Sequence, residues 1–152
     1  MVIGIAVAAI ANTGVLERTL TAVTIGNHKL TAAELNYYYL DTVNNTMSSN
    51  SMMSYMVTSG TPLDEQEYLG EGFDTWADYF LDTAITTARN TYAIYDEAVA
   101  KGYTLSEEEQ SQVDTALSNM SAYASIYGYS SASAMLRANY GRGCNESSYR
   151  EY

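Results

Sequence analysis

Helix-start motifs followed by apolar residues at helical spacing constrain the fold of this chain most strongly. Thr31 with Glu34, and Ser106 with Glu109, have the Ser/Thr-x-x-Glu pattern in which each side chain bonds the other residue's backbone amide at a helix N-terminus. The chain has a single proline, so helix interiors are almost free of proline breaks. These features predict an all-α fold of about five helices, with at most one very short strand or hairpin near residues 22–30.

Apolar residues three or four positions apart predict where the helices lie and which faces they bury. The first predicted helix begins near residue 32 and either continues to about 57 or stops in the Asn- and Ser-rich residues 44–54 and resumes. The other predicted helices span about 74–100, 107–127 and 131–141, and a last helix follows Asn145. The predicted core stripe of the second helix comprises Trp76, Phe80, Ala84, Ala88, Tyr92 (or Thr91), Tyr95 and Val99. That of the third comprises Val113, Leu117, Met120, Ala124 and Tyr127. We expect Trp76 and Phe80 to join the second helix to the first.

The N-terminal residues form a different kind of segment. Residues 2–11 are apolar throughout, too few for a membrane span of about 20 residues but close to the length of a signal-peptide core. No basic residue precedes them, and a buried or amphipathic helix of a soluble domain is the alternative. We interpret residues 1–21 as a truncated transmembrane or signal tail with its juxtamembrane segment. Residues 22–152 are then one helical domain, incomplete at its C-terminus.

Charge narrows the range of partners. The chain has 18 acidic and 7 basic residues, for a net charge of −11. Nucleic acids and anionic membrane surfaces need a basic face, so neither is expected as a main partner. A membrane is expected only through the N-terminal anchor. Residues 58–73, which are acidic and glycine-rich, predict a long loop that is a candidate for mobility or function.

Few residues point to catalysis or to metal binding. Asp74, Asp78 and Asp82 lie four positions apart and could hold Ca²⁺, but a solvated helix face is the favoured interpretation. His28 is expected to be an exposed turn residue, because no second histidine is present. Cys144 has no base near it in the sequence and is interpreted as an incidental small residue. We therefore predict no catalytic residue, no metal and no cofactor.

Four segments together carry a resemblance to a known family. They are residues 23–39 (VTIGNHKLTAAELNYYY), 76–80 (WADYF), 102–109 (GYTLSEEE) and 140–144 (YGRGC). In this order and spacing, they resemble the N-terminal chaperone domain of SurA- and PrsA-type foldases, over about residues 22–152. The turn departs from the family pattern, since it is Gly26-Asn27 where Asn-Gly is common.

The resemblance implies a function and a location. It implies an extracytoplasmic domain of the bacterial cell envelope, membrane-tethered or secreted, that binds unfolded or secreted polypeptides. Family members usually carry a parvulin-type peptidyl-prolyl isomerase domain after this region. One histidine and one short strand cannot build that domain, so no isomerase activity is assigned to this chain. The alternatives are a non-catalytic interaction module of a membrane-anchored surface protein and a fragment of a full-length isomerase.

Methionine and tyrosine suggest where a polypeptide would bind. The predicted peptide-binding residues are Met52, Met53, Tyr55 and Met56, together with Tyr37 and Tyr38. Flexible, polarisable methionine suits promiscuous apolar surfaces, and tyrosine supplies contact area at low entropic cost. Packing in the core is the alternative for the methionine segment. The three tyrosines at 37–39 span about 200° of a helix, so at least one is expected inside and one outside.

Overall fold

A computed structural model describes residues 14–152, and in this part of the chain the fold is mainly helical, as predicted. The apolar run at 2–11 lies outside the described residues. Seven α-helices are present in 14–152, where the sequence predicted about five. In chain order they are α1 (Val15–Thr19), α2 (Ala32–Ser49), α3 (Ser51–Met56), α4 (Trp76–Ala100), α5 (Glu107–Ile126), α6 (Ala132–Tyr140) and α7 (Glu146–Glu151). A single 3-10 turn covers Leu63–Glu65 within the described range.

Both predicted capping boxes are present. The Thr31 amide donates to Glu34 Oε2 at 2.6 Å, and the Glu34 amide donates to Thr31 Oγ1 at 3.3 Å, which starts α2. Ser106 and Glu109 form the same reciprocal pair at the start of α5. A third pair, in which Thr75 and Asp78 exchange bonds of 3.1 and 3.2 Å, starts α4. Because each pair satisfies amides that have no partner inside the helix, it sets where the helix begins.

The predicted first helix is divided into two. Asn50 has extended backbone angles, φ −125° and ψ 95°, and its side chain accepts bonds from the amides of Met52 and Met53. Asparagine side chains compete with the helix for backbone donors, which is why they favour caps over helix interiors. Of the two alternatives for this segment, the helix therefore stops and resumes: α3 is a separate helix that begins after Asn50.

The short strand pairs with the residues that directly follow it. β1 (Thr21–Ile25) and β2 (His28–Thr31) are antiparallel, and Ile25 lies opposite His28. The turn requires Gly26, whose φ of 58° is disfavoured for residues with a Cβ atom. Ile25 and Leu30 are buried, so the hairpin contributes one apolar face to the core.

The described residues form two compact units. Residues 14–37 with 92–152 make one, called the terminal unit, and residues 38–91 make the other, called the central unit. In the terminal unit, Ala33, Tyr37, Leu136 and Cys144 form a buried cluster. The Tyr37 hydroxyl donates to the Asn145 carbonyl at 3.1 Å, so the polar end of this buried ring is satisfied.

The core of the central unit is aromatic. Trp76 and Phe80 are buried, as predicted, and their rings are stacked with centroids 5.8 Å apart. Tyr68 packs edge-on against Trp76, with the ring centroids 4.8 Å apart. Ala84 and Ala88 continue the buried stripe along α4. The stripe thus buries large rings at the start of α4 and small side chains further along.

Three residues assigned to core stripes are exposed. Tyr95 and Val99 of α4 are 55% and 52% exposed, and Tyr127 after α5 is 72% exposed. The prediction that these three are core residues is wrong. Helical spacing shows that residues share a face, but burial also requires another element to cover that face.

Candidate functional site

The short helix α3 presents large apolar side chains to solvent. Met52, Tyr55 and Met56 are 67%, 89% and 43% exposed, and we call these three the Met/Tyr face. At 3.6 residues per turn they lie within about 100° of the helix circumference, so they form one continuous surface. Met53 is half-buried and is not part of this face. Of the four methionine-segment residues predicted to bind peptide, three are therefore well exposed.

Hydrogen bonds at both ends hold α3 in place. Asn50 caps its start, and the Val57 amide donates to the Met53 carbonyl at its end. Beyond that point the chain is tied by Gln66, whose Oε1 accepts from the Thr58 amide at 2.6 Å. Gln66 Nε2 donates to the carbonyls of Thr58 and Thr61, at 3.2 and 2.7 Å. Gln66 Nε2 also lies 3.5 Å from the Pro62 carbonyl, and a buried amide that bonds four backbone groups makes the loop after α3 an ordered segment.

The central unit is strongly acidic around this helix. It contains eight acidic residues and one basic residue, Arg89. The acidic residues are Asp41, Asp64, Glu65, Glu67, Glu71, Asp74, Asp78 and Asp82. Burial raises the pKa of Tyr39, and the charges of Asp64 and Asp78 raise it further. Carboxylates of this unit, Asp64 in the loop and Asp78 on α4, therefore act electrostatically on a neighbouring side chain.

Tyr37 and Tyr38 do not belong to an exposed surface. Tyr37 is fully buried and Tyr38 is 5% exposed, and burial raises the pKa of Tyr37 well above its ordinary value. Tyr39 is half-buried, so none of the three successive tyrosines is the outward-facing residue that the sequence predicted. We remove Tyr37 and Tyr38 from the candidate peptide-binding residues, because a side chain inside the core cannot contact a bound segment.

The structure shows further exposed apolar residues that sequence analysis missed. Ile94 and Tyr103 in the terminal unit line an open cavity of about 500 Å³ together with Glu97, Ala98, Lys101 and Gly102. On α5, Tyr123 and Ile126 are exposed beside Tyr127. The sequence contained one indication of this exposure. Ile94 and Tyr95 are adjacent, so their side chains are about 100° apart around the helix and cannot both lie on one narrow buried stripe.

His28 and Cys144 have structural surroundings. His28 lies on β2, not in the turn; its Nε2 is 2.7 Å from Asp96 Oδ1, and its ring stacks on Tyr92 with centroids 4.3 Å apart. The expectation of an exposed turn histidine is wrong, because the hairpin brings this residue against α4. Cys144 is buried and its Sγ contacts the Ala33 carbonyl at 3.5 Å. Burial raises the pKa of this thiol, which disfavours the reactive thiolate.

Asp74 lies before the first residue of α4, so only Asp78 and Asp82 of the predicted aspartate row are on this helix, and Asp78 helps to start it. Asp78 accepts from both the amide and the hydroxyl of Thr75, at 3.1 and 2.7 Å. Within residues 14–152, no three His, Cys, Asp or Glu side chains converge in a way that could hold a metal ion. The absence of a bound metal remains a prediction.

None of the helices within residues 14–152 has the length and apolar character needed to cross a bilayer. No family model, curated protein or solved structure matches the chain. A functional assignment therefore depends on the residues of this chain and their geometry, above all on the exposed Met/Tyr face of α3.

Proposed function

We propose that this chain is a chaperone module that binds unfolded polypeptides through exposed apolar side chains. The observation that carries the proposal is the Met/Tyr face, in which three large side chains of one short helix share an exposed surface. Contiguous exposed apolar surface on a soluble protein usually marks a site for a partner. Covering this face with apolar side chains of a client removes it from water, which supplies the favourable free energy of binding.

The chemistry of the face suits many client sequences. Methionine has an unbranched, flexible side chain whose thioether adapts to differently shaped partners. Tyr55, at 89% exposure, offers a large ring and a hydroxyl that can bond a client backbone. A surface of this kind accepts apolar segments of varied sequence, as a holding chaperone requires.

The resemblance to SurA- and PrsA-type foldases supports the same proposal. The first motif segment lies in a hairpin followed directly by the long helix α2, the second and third lie at the starts of α4 and α5, and the fourth begins at the last residue of α6. On this basis we propose a SurA N-terminal-like domain. Its proposed location is the bacterial cell envelope, outside the cytoplasm, with the chain secreted or membrane-tethered. No isomerase chemistry is proposed for this chain.

Suppression of aggregation tests the proposal. The triple variant Met52→Ser, Tyr55→Ser, Met56→Ser removes the apolar face, and we expect it to lose most of the protection that the wild-type chain gives an aggregating client. The matched control is Tyr123→Ser, Ile126→Ser, Tyr127→Ser, which removes three exposed apolar residues from the terminal unit. Light scattering of the client measures protection, and circular dichroism checks that both variants are folded.

Each outcome has a definite meaning. If the first variant protects the client as well as the wild-type chain does, the binding surface is not on α3. If only the control variant loses protection, the binding surface is on α5. Unfolding of the first variant shows that the methionine segment is core. If the wild-type chain protects no client but binds one folded protein, it is a non-catalytic interaction module and not a chaperone module.

A further inference from the structure

The distribution of basic residues along the chain is strongly uneven. Lys29 and Arg89 are consecutive bases in the sequence, and no lysine, arginine or histidine lies between them. The whole of α3, with its Met/Tyr face and the loop that follows, falls inside this base-free stretch. Any segment that binds this face therefore meets carboxylates from the surrounding chain and no opposing positive charge from that stretch.

The Gln66 bonds tie a loop that carries carboxylates to the chain directly after α3. Gln66 bonds both the amide and the carbonyl of Thr58, which lies two positions after Met56. Glu65 and Glu67 flank this glutamine on either side, and both are exposed. Leu69 is exposed in the same loop, so this loop presents both acidic and apolar side chains to solvent.

From this arrangement we propose that the Met/Tyr face selects polypeptide segments in which apolar side chains are flanked by lysine or arginine. The inference rests on the proposed function and names its substrate class. Apolar side chains of the client cover Met52, Tyr55 and Met56, while its cations lie in the field of Glu65 and Glu67. Segments rich in aspartate or glutamate are repelled, so charge acts as the specificity element on an otherwise permissive surface.

The same charges argue against other occupants of the face. A second copy of the chain also has a net charge of −11, so self-association places like charges together. Nucleic acids and anionic lipids are repelled in the same way. A cationic, apolar polypeptide is the partner whose charge and hydrophobicity both complement this surface.

A matched pair of short fluorescent peptides tests the selection. Both have the same apolar residues, and one has lysine where the other has glutamate at the intervening positions. Fluorescence anisotropy with the full chain is expected to give on the order of tenfold tighter binding of the lysine peptide at low ionic strength. Near 1 M salt, where the Debye length is about 3 Å, the two affinities should converge.

Paired charge variants locate the effect. Glu65→Gln with Glu67→Gln should reduce the preference for the lysine peptide several-fold. The control Glu107→Gln with Glu108→Gln removes the same charge from exposed positions in the terminal unit and should leave most of the preference. Folding of both variants is checked by circular dichroism, and glutamine preserves side-chain size in each.

Three results would overturn the inference or its basis. Equal binding of both peptides to the wild-type chain refutes charge selection and leaves the proposed function intact. Equal effects of the two double variants assign the preference to net charge, not to the loop beside α3. If neither peptide binds and the aggregating client is not protected either, the proposed function itself fails.

Discussion

Replacing Phe80 with alanine tests the core of the central unit directly. Phe80 is fully buried, and its ring centroid is 5.8 Å from that of Trp76 and 5.3 Å from that of Tyr79. Transfer of a phenylalanine side chain out of water contributes about 1.5–3 kcal/mol. The cavity left behind brings the usual cost of Phe→Ala to about 3–5 kcal/mol. Two lost aromatic contacts favour the upper part of that range.

Urea unfolding followed by tryptophan fluorescence measures this cost. Trp76 is the only tryptophan in the chain and contacts Phe80, so its emission reports on the central unit itself. The matched control is Leu81→Ala at the next position of the same helix, where the side chain is 39% exposed. We expect this control to cost clearly less than Phe80→Ala, because Leu81 is already partly in contact with water and truncating it leaves no enclosed cavity.

The comparison between the two variants decides the question. A loss below about 1 kcal/mol for Phe80→Ala, or equal losses for both variants, would show that the Trp76–Phe80 face is not a packed core. An unchanged dependence of the unfolding free energy on urea concentration is required for this comparison, because it shows that the surface exposed on unfolding is the same.

Further predictions concern the start of α5 and metal binding. Ser106→Ala removes the cap acceptor and should cost about 1 kcal/mol in thermal unfolding followed by circular dichroism. The hydrogen bond from the Tyr103 hydroxyl, with those from Ser106, lowers the pKa of Glu109 from 4.5 to about 2. The ionised Glu109 carboxylate therefore stabilises the folded state above pH 4.5, and this stabilisation is lost as the pH falls towards 2. Acid should destabilise the wild-type chain more than the Glu109→Gln variant. The Tm should be the same with chelator and with millimolar Ca²⁺. A higher Tm with Ca²⁺ would indicate that Asp74, Asp78 and Asp82 bind the ion.

Local bonds explain which structural features could be predicted from the sequence. Thr31 with Glu34, and Ser106 with Glu109, are three residues apart, so the motif and the bond that it makes are both local. The starts of α2 and α5 therefore follow from the sequence alone. Trp76 and Phe80 were placed in the core correctly because their stripe includes two large aromatic side chains one helical turn apart.

The candidate site could be predicted only in part. The composition of the methionine segment indicated an apolar surface, and Met52, Tyr55 and Met56 are exposed in the structure. The burial of Tyr37 depends on Asn145 and Ser148, more than 100 positions away, and no local pattern indicates those partners. A run of tyrosines has the same appearance in the sequence whether it contacts a client or fills a core.

The helical class of the described residues, the capped helix starts and the excess of negative charge follow from the amino-acid sequence, because they depend on neighbouring residues or on simple counts. Which apolar faces are covered depends on how distant segments of the chain pack together. Tyr95 and Val99 continue the spacing of the α4 core stripe and yet are exposed, while His28 is held against Asp96 from 68 positions away. Burial depends on what lies opposite a side chain, and the partner opposite is supplied by chain segments that are distant in sequence.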